Sequence, residues 1–306
     1  MTVVVAENLS KHYGKIAAVN RLSLRVEDRS IVGLIGPNGA GKTTTIKMIV
    51  GLMKPDQGHV EVFGQNPWDN TEVHSRIGIV YERSSFPTNE IAIDYLERVC
   101  RIFGTAESRA MDVLKMVNLD RACDRAIKAL SAGMLQRFAI AHAIIHEPEF
   151  VIADEITSNL DPKARSSLLD LILQLHNDHK ITFLLSSHIL PELSRVCDCA
   201  VIIDKGKVCA FGNLSELYEK FSARTVRVST DKPNELAALI RGLPYVEKAE
   251  ANSHAISVTI VATGSETVYE DILRLTKESG AKILGIETES ASLEALYRVV
   301  VDSGGR

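Results

Sequence analysis

Ile31-Val32-Gly33-Leu34-Ile35-Gly36-Pro37-Asn38-Gly39-Ala40-Gly41-Lys42-Thr43 joins a strand-length apolar run to a glycine-rich turn and a lysine–threonine pair. The turn fits the pattern G-x-x-x-x-G-K-[ST], in which glycines let the backbone curl so that its N–H groups point at phosphate oxygens. A helix is expected from Thr44 to Val50, and its N-terminus adds the positive end of a dipole. In this pattern Lys42 reaches the β- and γ-phosphates of a nucleotide and the Thr43 hydroxyl binds Mg²⁺. The phosphate-binding set is therefore expected to be Gly36, Pro37, Asn38, Gly39, Ala40, Gly41, Lys42, Thr43 and Thr44.

Two further apolar runs end in polar residues suited to the same ligand. Phe150-Val151-Ile152-Ala153 leads into Asp154-Glu155, and Ile181-Thr182-Phe183-Leu184-Leu185 leads into Ser186-Ser187-His188. Ligands of an open parallel sheet bind outside the carboxyl ends of its strands. The three tips are thus expected to meet at one site. The acid pair resembles the second nucleotide-binding motif of phosphate-loop ATPases. There Asp154 would hold Mg²⁺, and Glu155 would face the γ-phosphate and polarise the attacking water.

Length and composition set the frame. At 306 residues, with 45% hydrophobic and 24% charged, the chain has ample material for one large or two medium globular domains. A formal charge of -4 argues against a nucleic-acid-binding surface as its main business. No apolar stretch is long enough for a membrane span, and the start Met1-Thr2-Val3-Val4-Val5 lacks the pattern of a secretory signal. Five cysteines, an odd number, fit a reducing compartment. Cys197-x-Cys199 has the wrong spacing for a zinc pair.

Up to about residue 220 the chain reads as α/β with a mainly parallel sheet. The segment from Ile91 to His146 interrupts that rhythm with several helices, and a helical subdomain is placed at about 88–146. Val201 to Val208 reads as a hairpin turning at Asp-Lys-Gly-Lys, and a helix from Ser215 to Phe221 closes the first domain. Residues 222–306 then read as strand, helix, strand, strand, helix, strand and a last helix from Leu293 to Val301. That βαββαβ order is the ferredoxin-like α+β arrangement.

Leu130-Ser131-Ala132-Gly133-Met134-Leu135-Gln136-Arg137 adds a third kind of signal. The chain here resembles the ATP-binding subunit of ABC transporters, whose signature is Leu-Ser-Gly-Gly-Gln. The resemblance covers about the first 220 residues, with motifs in order. Tyr13 matches the aromatic that stacks on adenine, and Glu82 falls where the family has its Q-loop glutamine. Ser158-Asn159-Leu160-Asp161-Pro162 resembles the D-loop, and His188 matches the switch histidine. The resemblance implies a phosphate-loop fold, ATP and Mg²⁺ as ligands, and Glu155 and His188 as the catalytic pair. Thr43, Asp154 and Glu82 would serve the metal. Ser131 and Gly133, at a helix N-terminus, would contact the γ-phosphate held by a second ATPase subunit, most simply another copy of this chain.

Several positions depart from the family. Glu82 replaces a glutamine and brings an extra negative charge near Mg²⁺, which accepts carboxylate ligands. Ala132 and Met134 replace Gly and Gln of the signature. Ile156 stands where the family has Pro, and Asn159 where the D-loop has Gly. None deletes a catalytic group. The tail containing Ser292-Leu293-Glu294-Ala295-Leu296-Tyr297 looks like that of ABC-2-type exporter subunits. The expected function is an ATPase that powers multi-span permease subunits from the cytoplasmic face of the membrane. The alternatives are a soluble ABC ATPase doing non-transport mechanical work and a module that binds ATP without turnover. The loop from Glu82 to Tyr95, with Arg83 and Phe86, is expected either to dock the permease or, at Phe86, to pack within the helical subdomain.

Overall fold

The computed structural model describes residues 1–82, 84–221, 224–260, 267–288, 293, 296–297 and 300–301. The chain divides into two compact units, Met1–Asn213 and Leu214–Arg306. In the first, strands β1 (Thr2–Tyr13), β2 (Ile16–Glu27) and β3 (Ile31–Ile35) lead to helix α1 (Lys42–Ile49) and strand β4 (Gln57–Val62). Helix α2 (Thr71–Ser75) and strand β5 (Ile77–Val80) precede helices α3 (Ala92–Phe103), α4 (Ser108–Met116) and α5 (Ala132–Ile144). Then come β6 (Phe150–Asp154), α6 (Pro162–His179), β7 (Thr182–Ser187), α7 (Leu190–Leu193), β8 (Cys199–Asp204) and β9 (Lys207–Asn213).

The strands form two sheets. One has the order β5-β6-β7-β3-β8-β9, parallel except for the final hairpin. All residues of β3, β6 and β7 are buried, as expected for parallel strands covered on both faces. These three strands are neighbours, and Ile35 pairs with Ser187 and Asp154 with Ser186. Their carboxyl tips therefore end level, side by side. In the closing hairpin Lys205 and Gly206 both have positive φ, the type I′ geometry that matches strand twist.

The second sheet, β2-β1-β4, is antiparallel and was not foreseen from the sequence. Its long strands β1 and β2 alternate buried and exposed residues irregularly. Register shifts in their pairing, between Ala6 and Leu9 among others, blur the period-2 pattern. Its inner residues Val4, Leu22, Val26 and Val60 join Leu34, Ile46 and Ile152 in one core cluster.

Three helices, α3 to α5, fill the stretch between β5 and β6, where the sequence suggested an insertion. Helix α3 ends at Gly104, whose left-handed φ of 72° caps it. Helix α6 starts at Asp161, which accepts from the Ala164 N–H, with Pro162 in the first turn.

In the second unit, helix α8 (Leu214–Phe221) precedes β10 (Arg224–Thr230), α9 (Pro233–Ile240), β11 (Val246–Ala251), β12 (Ala255–Ile260), α10 (Val268–Ser279) and β13 (Ile283–Thr288). The sheet order is β11-β12-β10-β13, all antiparallel. Val226, Val228, Ile256 and Val258 pack with Leu236, Ile240 and Ile272 in a separate core. Helix α8, read from the sequence as closing the first domain, groups with this unit. Much of the expected helix Leu293–Val301 lies outside the described residues; of the remainder, Leu293, Leu296 and Val300 are buried.

Candidate functional site: a phosphate loop facing an acid pair and a histidine

The loop after β3 is shaped by close approaches. A Cβ on Gly36 would lie 2.4 Å from the Ile203 carbonyl oxygen. Gly41 has φ +104°, and a Cβ there would lie 2.4 Å from the Ala18 carbonyl oxygen. No other residue fits at either place. Gly41 is also the N-cap of α1 and offers no side-chain oxygen. The first N–H groups of that helix thus have no cap of their own, which suits an anion. A cleft of about 260 Å³ opens here, lined by residues of the loop between Pro37 and Thr44 together with Ala18, Glu82 and Glu155.

Polar groups from all three tips are linked here, Lys42, Thr43 and Glu155 in the cleft wall and Asp154 and His188 in contact with them. The Lys42 ammonium, 5% exposed, donates to the carbonyls of Gly36 (2.6 Å) and Pro37 (3.2 Å). It also lies 2.9 Å from Oε1 of Glu155, in an ion pair without hydrogen-bond alignment. The Thr43 hydroxyl donates to Oδ2 of Asp154 at 2.9 Å. Nδ1 of His188 is 2.7 Å from Oε2 of Glu155. Glu155 itself has a left-handed φ of 51°, unusual for a residue with a side chain. Strain of this kind clusters at functional sites.

Ser186 organises the acids, and sequence reading missed it. Its hydroxyl donates to Oδ1 of Asp154 and accepts from the Glu155 N–H at 3.0 Å. One buried serine thus fixes both carboxyl-bearing residues, fully engaging its proton and a lone pair. The sequence signal was only its place at the polar end of the third apolar run; the structure sets it opposite Asp154 in the β6–β7 register.

The remaining expected residues lie around this centre. Glu82 lines the cleft, and its carbonyl accepts from the Gln136 amide of α5 at 3.4 Å. Tyr13 is half-exposed, with its hydroxyl 3.1 Å from the sulfur of Met53, and is not among the residues lining the phosphate cleft. Ser131 caps α5 by accepting from the Met134 N–H at 3.3 Å and is exposed, as is Ala132. Neither Ser131 nor Gly133 lines the cleft beside Lys42. Phe86 is half-buried, with its ring edge-on to Tyr95, Phe138 and His142 at centroid distances of 5.6, 5.1 and 5.7 Å. Of the two readings of Phe86, the structure shows the packed one; Arg83 lies outside the described residues. Trp68, without an evident role in the sequence, donates its indole N–H to the Met53 carbonyl.

A buried parallel sheet with this loop, acid pair and histidine at adjacent tips defines a phosphate-loop nucleotide-binding protein. The sequence model of the family described as ABC transporter matches residues 19–158. The chain is 32% identical to the bacitracin transport ATP-binding protein BcrA of Bacillus licheniformis, over 99% of this chain and 98% of that one. It is 32% identical to the linearmycin resistance ATP-binding protein LnrL of Bacillus subtilis (strain 168), over 95% and 96%. A solved ATP-binding subunit of an ABC transporter superposes with a TM-score of 0.63 at 30% identity, over 72% of this chain and 93% of that one. The chain belongs to the ABC transporter ATP-binding proteins and is an ATPase of that family. Among the described residues, no helix is long and apolar enough to cross a membrane.

Proposed function

We propose that the chain binds Mg²⁺-ATP at the tips of β3, β6 and β7 and hydrolyses it in a dimer. The closing and opening of that dimer then drive multi-span permease subunits of an ABC-2-type exporter. The observation that carries this reading is the set of contacts Lys42–Glu155, Glu155–His188 and Thr43–Asp154, at 2.9, 2.7 and 2.9 Å. They gather a cation, two carboxylates, a histidine and a hydroxyl around the cleft that Lys42, Thr43 and Glu155 line.

Each residue has a role that its chemistry allows. Lys42 exchanges its loop carbonyls for β- and γ-phosphate oxygens, joined by backbone N–H groups of the loop and of the start of α1 up to Thr44. Thr43 and Asp154 present hard oxygens side by side, a donor set that fits Mg²⁺, and Glu82 adds a carboxylate from the cleft wall. When bound, the ion neutralises phosphate charge. Glu155, close to Lys42 and His188, takes the proton of the attacking water. His188 holds that carboxylate and touches the γ-phosphate. The half-exposed ring of Tyr13 offers adenine a stacking face.

Ser131 and Gly133 open a helix on a surface apart from the Lys42 cleft. That placement supports a second copy of the chain, whose nucleotide they would meet. Export is supported by relatives named for bacitracin transport, linearmycin resistance and Nod factor export. The chain would then sit at the cytoplasmic face of the membrane, held by its permease, with residues 222–306 as an accessory domain.

The test is oligomeric state. Glu155→Gln with Mg²⁺-ATP runs as a dimer on size exclusion and with ADP as a monomer, and Ser131→Arg abolishes the dimer. A state that ignores nucleotide, or a dimer indifferent to Ser131, removes the composite site.

A further inference from the structure

Two short segments of the first unit run beside each other and are joined at both ends by charge. At one end Oε2 of Glu155 meets Nδ1 of His188 at 2.7 Å. At the other, the Arg165 guanidinium donates from Nη1 to Oε1 of Glu192 at 3.1 Å. Glu155 and Arg165 bound the first segment, which turns out of β6 into α6. His188 and Glu192 bound the second, which turns out of β7 into α7. Arg165 also donates from Nε to the Leu160 carbonyl at 2.8 Å, so the same side chain holds the turn of its own segment.

The second pair is more than a surface contact. Glu192 is 9% exposed, and its other oxygen, Oε2, is buried without a hydrogen-bond partner. A buried carboxylate that loses its cation must be hydrated or move. Moving Glu192 moves α7, and His188 lies only two residues before that helix. A neighbouring contact repeats the attachment: Arg195 donates to the Ser166 hydroxyl at 2.9 Å and to Asp170 at 2.8 Å. The next residue, Ser167, accepts from Arg137 of α5 at 2.6 Å. The start of α6 is thereby tied both to the histidine segment and to the helix that Ser131 caps.

We infer that the Arg165–Glu192 ion pair is a positioning clamp that sets the His188 imidazole against Glu155 during ATP hydrolysis. It touches no reacting atom. This rests on the reading of Glu155 and His188 given above. The arrangement makes the pair a unit: losing either member loosens the histidine segment, which Arg195 still tethers to α6, and losing the second adds nothing.

The test uses the full chain, with kcat and KM for ATP measured at saturating Mg²⁺. Arg165→Ala and Glu192→Ala each lower kcat about tenfold, equivalent to about 1.4 kcal/mol. KM for ATP stays within about twofold, because nucleotide binding is untouched. The double variant is no slower than either single one, the mark of an interacting pair. Glu192→Gln, which still accepts from Arg165, recovers most of the rate. Losses that multiply in the double variant, or a KM that rises with no change in kcat, overturn the clamp. His188→Ala is the control. If it is inactive while Arg165→Ala and Glu192→Ala turn over normally, the clamp alone is wrong. If His188→Ala itself turns over normally, the reading of the site is wrong and the clamp falls with it.

Discussion

The Thr43 hydroxyl donates a 2.9 Å hydrogen bond to Oδ2 of Asp154, across 111 residues of chain. The other Asp154 oxygen accepts from Ser186, on the strand next to β6. The carboxylate is therefore oriented from both sides before any ligand arrives. Groups that orient a metal-binding carboxylate typically contribute about 10- to 100-fold to metal affinity. Ser186→Ala should raise the Mg²⁺ concentration needed for half-maximal ATPase activity by that order. A magnesium titration of the variant checks this; an unchanged midpoint would mean that Asp154 is positioned by something else.

Gly41 is the residue of the loop least able to accept a side chain. Gly41→Ala forces a Cβ toward the Ala18 carbonyl at a φ of +104°. A strained position of this kind costs about 1–3 kcal/mol. The variant should lower the urea midpoint and bind a fluorescent ATP analogue weakly. Normal stability together with normal affinity is the outcome that does not fit.

Phe86 packs edge-on against Tyr95, Phe138 and His142. Because it is only half-buried, Phe86→Ala should cost about 1–3 kcal/mol, less than the roughly 3–5 kcal/mol of a fully buried Phe. Denaturant unfolding measures it. A variant as stable as the parent, yet no longer co-purifying with its permease, would return Phe86 to the role of an exposed anchor.

His142 of this cluster and His146, one turn further along and stacked on Phe103, give the protein a pH dependence of stability. Burial holds the imidazoles of His142 and His146 below their usual value of 6.5. Nε2 of His146 donates to the Ile77 carbonyl, while Nδ1 is buried without a partner. A proton on Nδ1 therefore has no acceptor in the fold. The unfolded chain takes up protons at higher pH than the folded one, so stability is full above about 6.5 and falls as the pH drops below it. Tm measured from about pH 7.5 down to 5.5 should fall, and His146→Gln, which keeps a donor for Ile77, should flatten the slope. Parallel curves for the two proteins would exclude His146 as the source.

What the sequence made legible follows from chain chemistry. Ile31–Ile35, Phe150–Ala153 and Ile181–Leu185 stand out because parallel strands buried on both faces need continuous apolar runs. Each ends abruptly in polar or charged residues, which need partners once buried, so the tips were legible together with the strands. The antiparallel sheet β2-β1-β4 was not, because shifted register breaks its alternation. Ser186 was quoted only as part of a strand end; its tie to Asp154 and Glu155 depends on pairing between β6 and β7, which local sequence does not encode. The Arg165–Glu192 pair was hidden for the same reason, since 27 residues of chain separate its members.

Steady-state turnover of Glu155→Gln is the most direct measurement of the central claim. The amide preserves the shape of the side chain beside Lys42 and His188 but cannot take a proton from water. ATP binding should persist while turnover falls by about 10²- to 10⁴-fold, the usual worth of a general base. Full turnover in Glu155→Gln would contradict the assignment of the catalytic site at the tips of β3, β6 and β7.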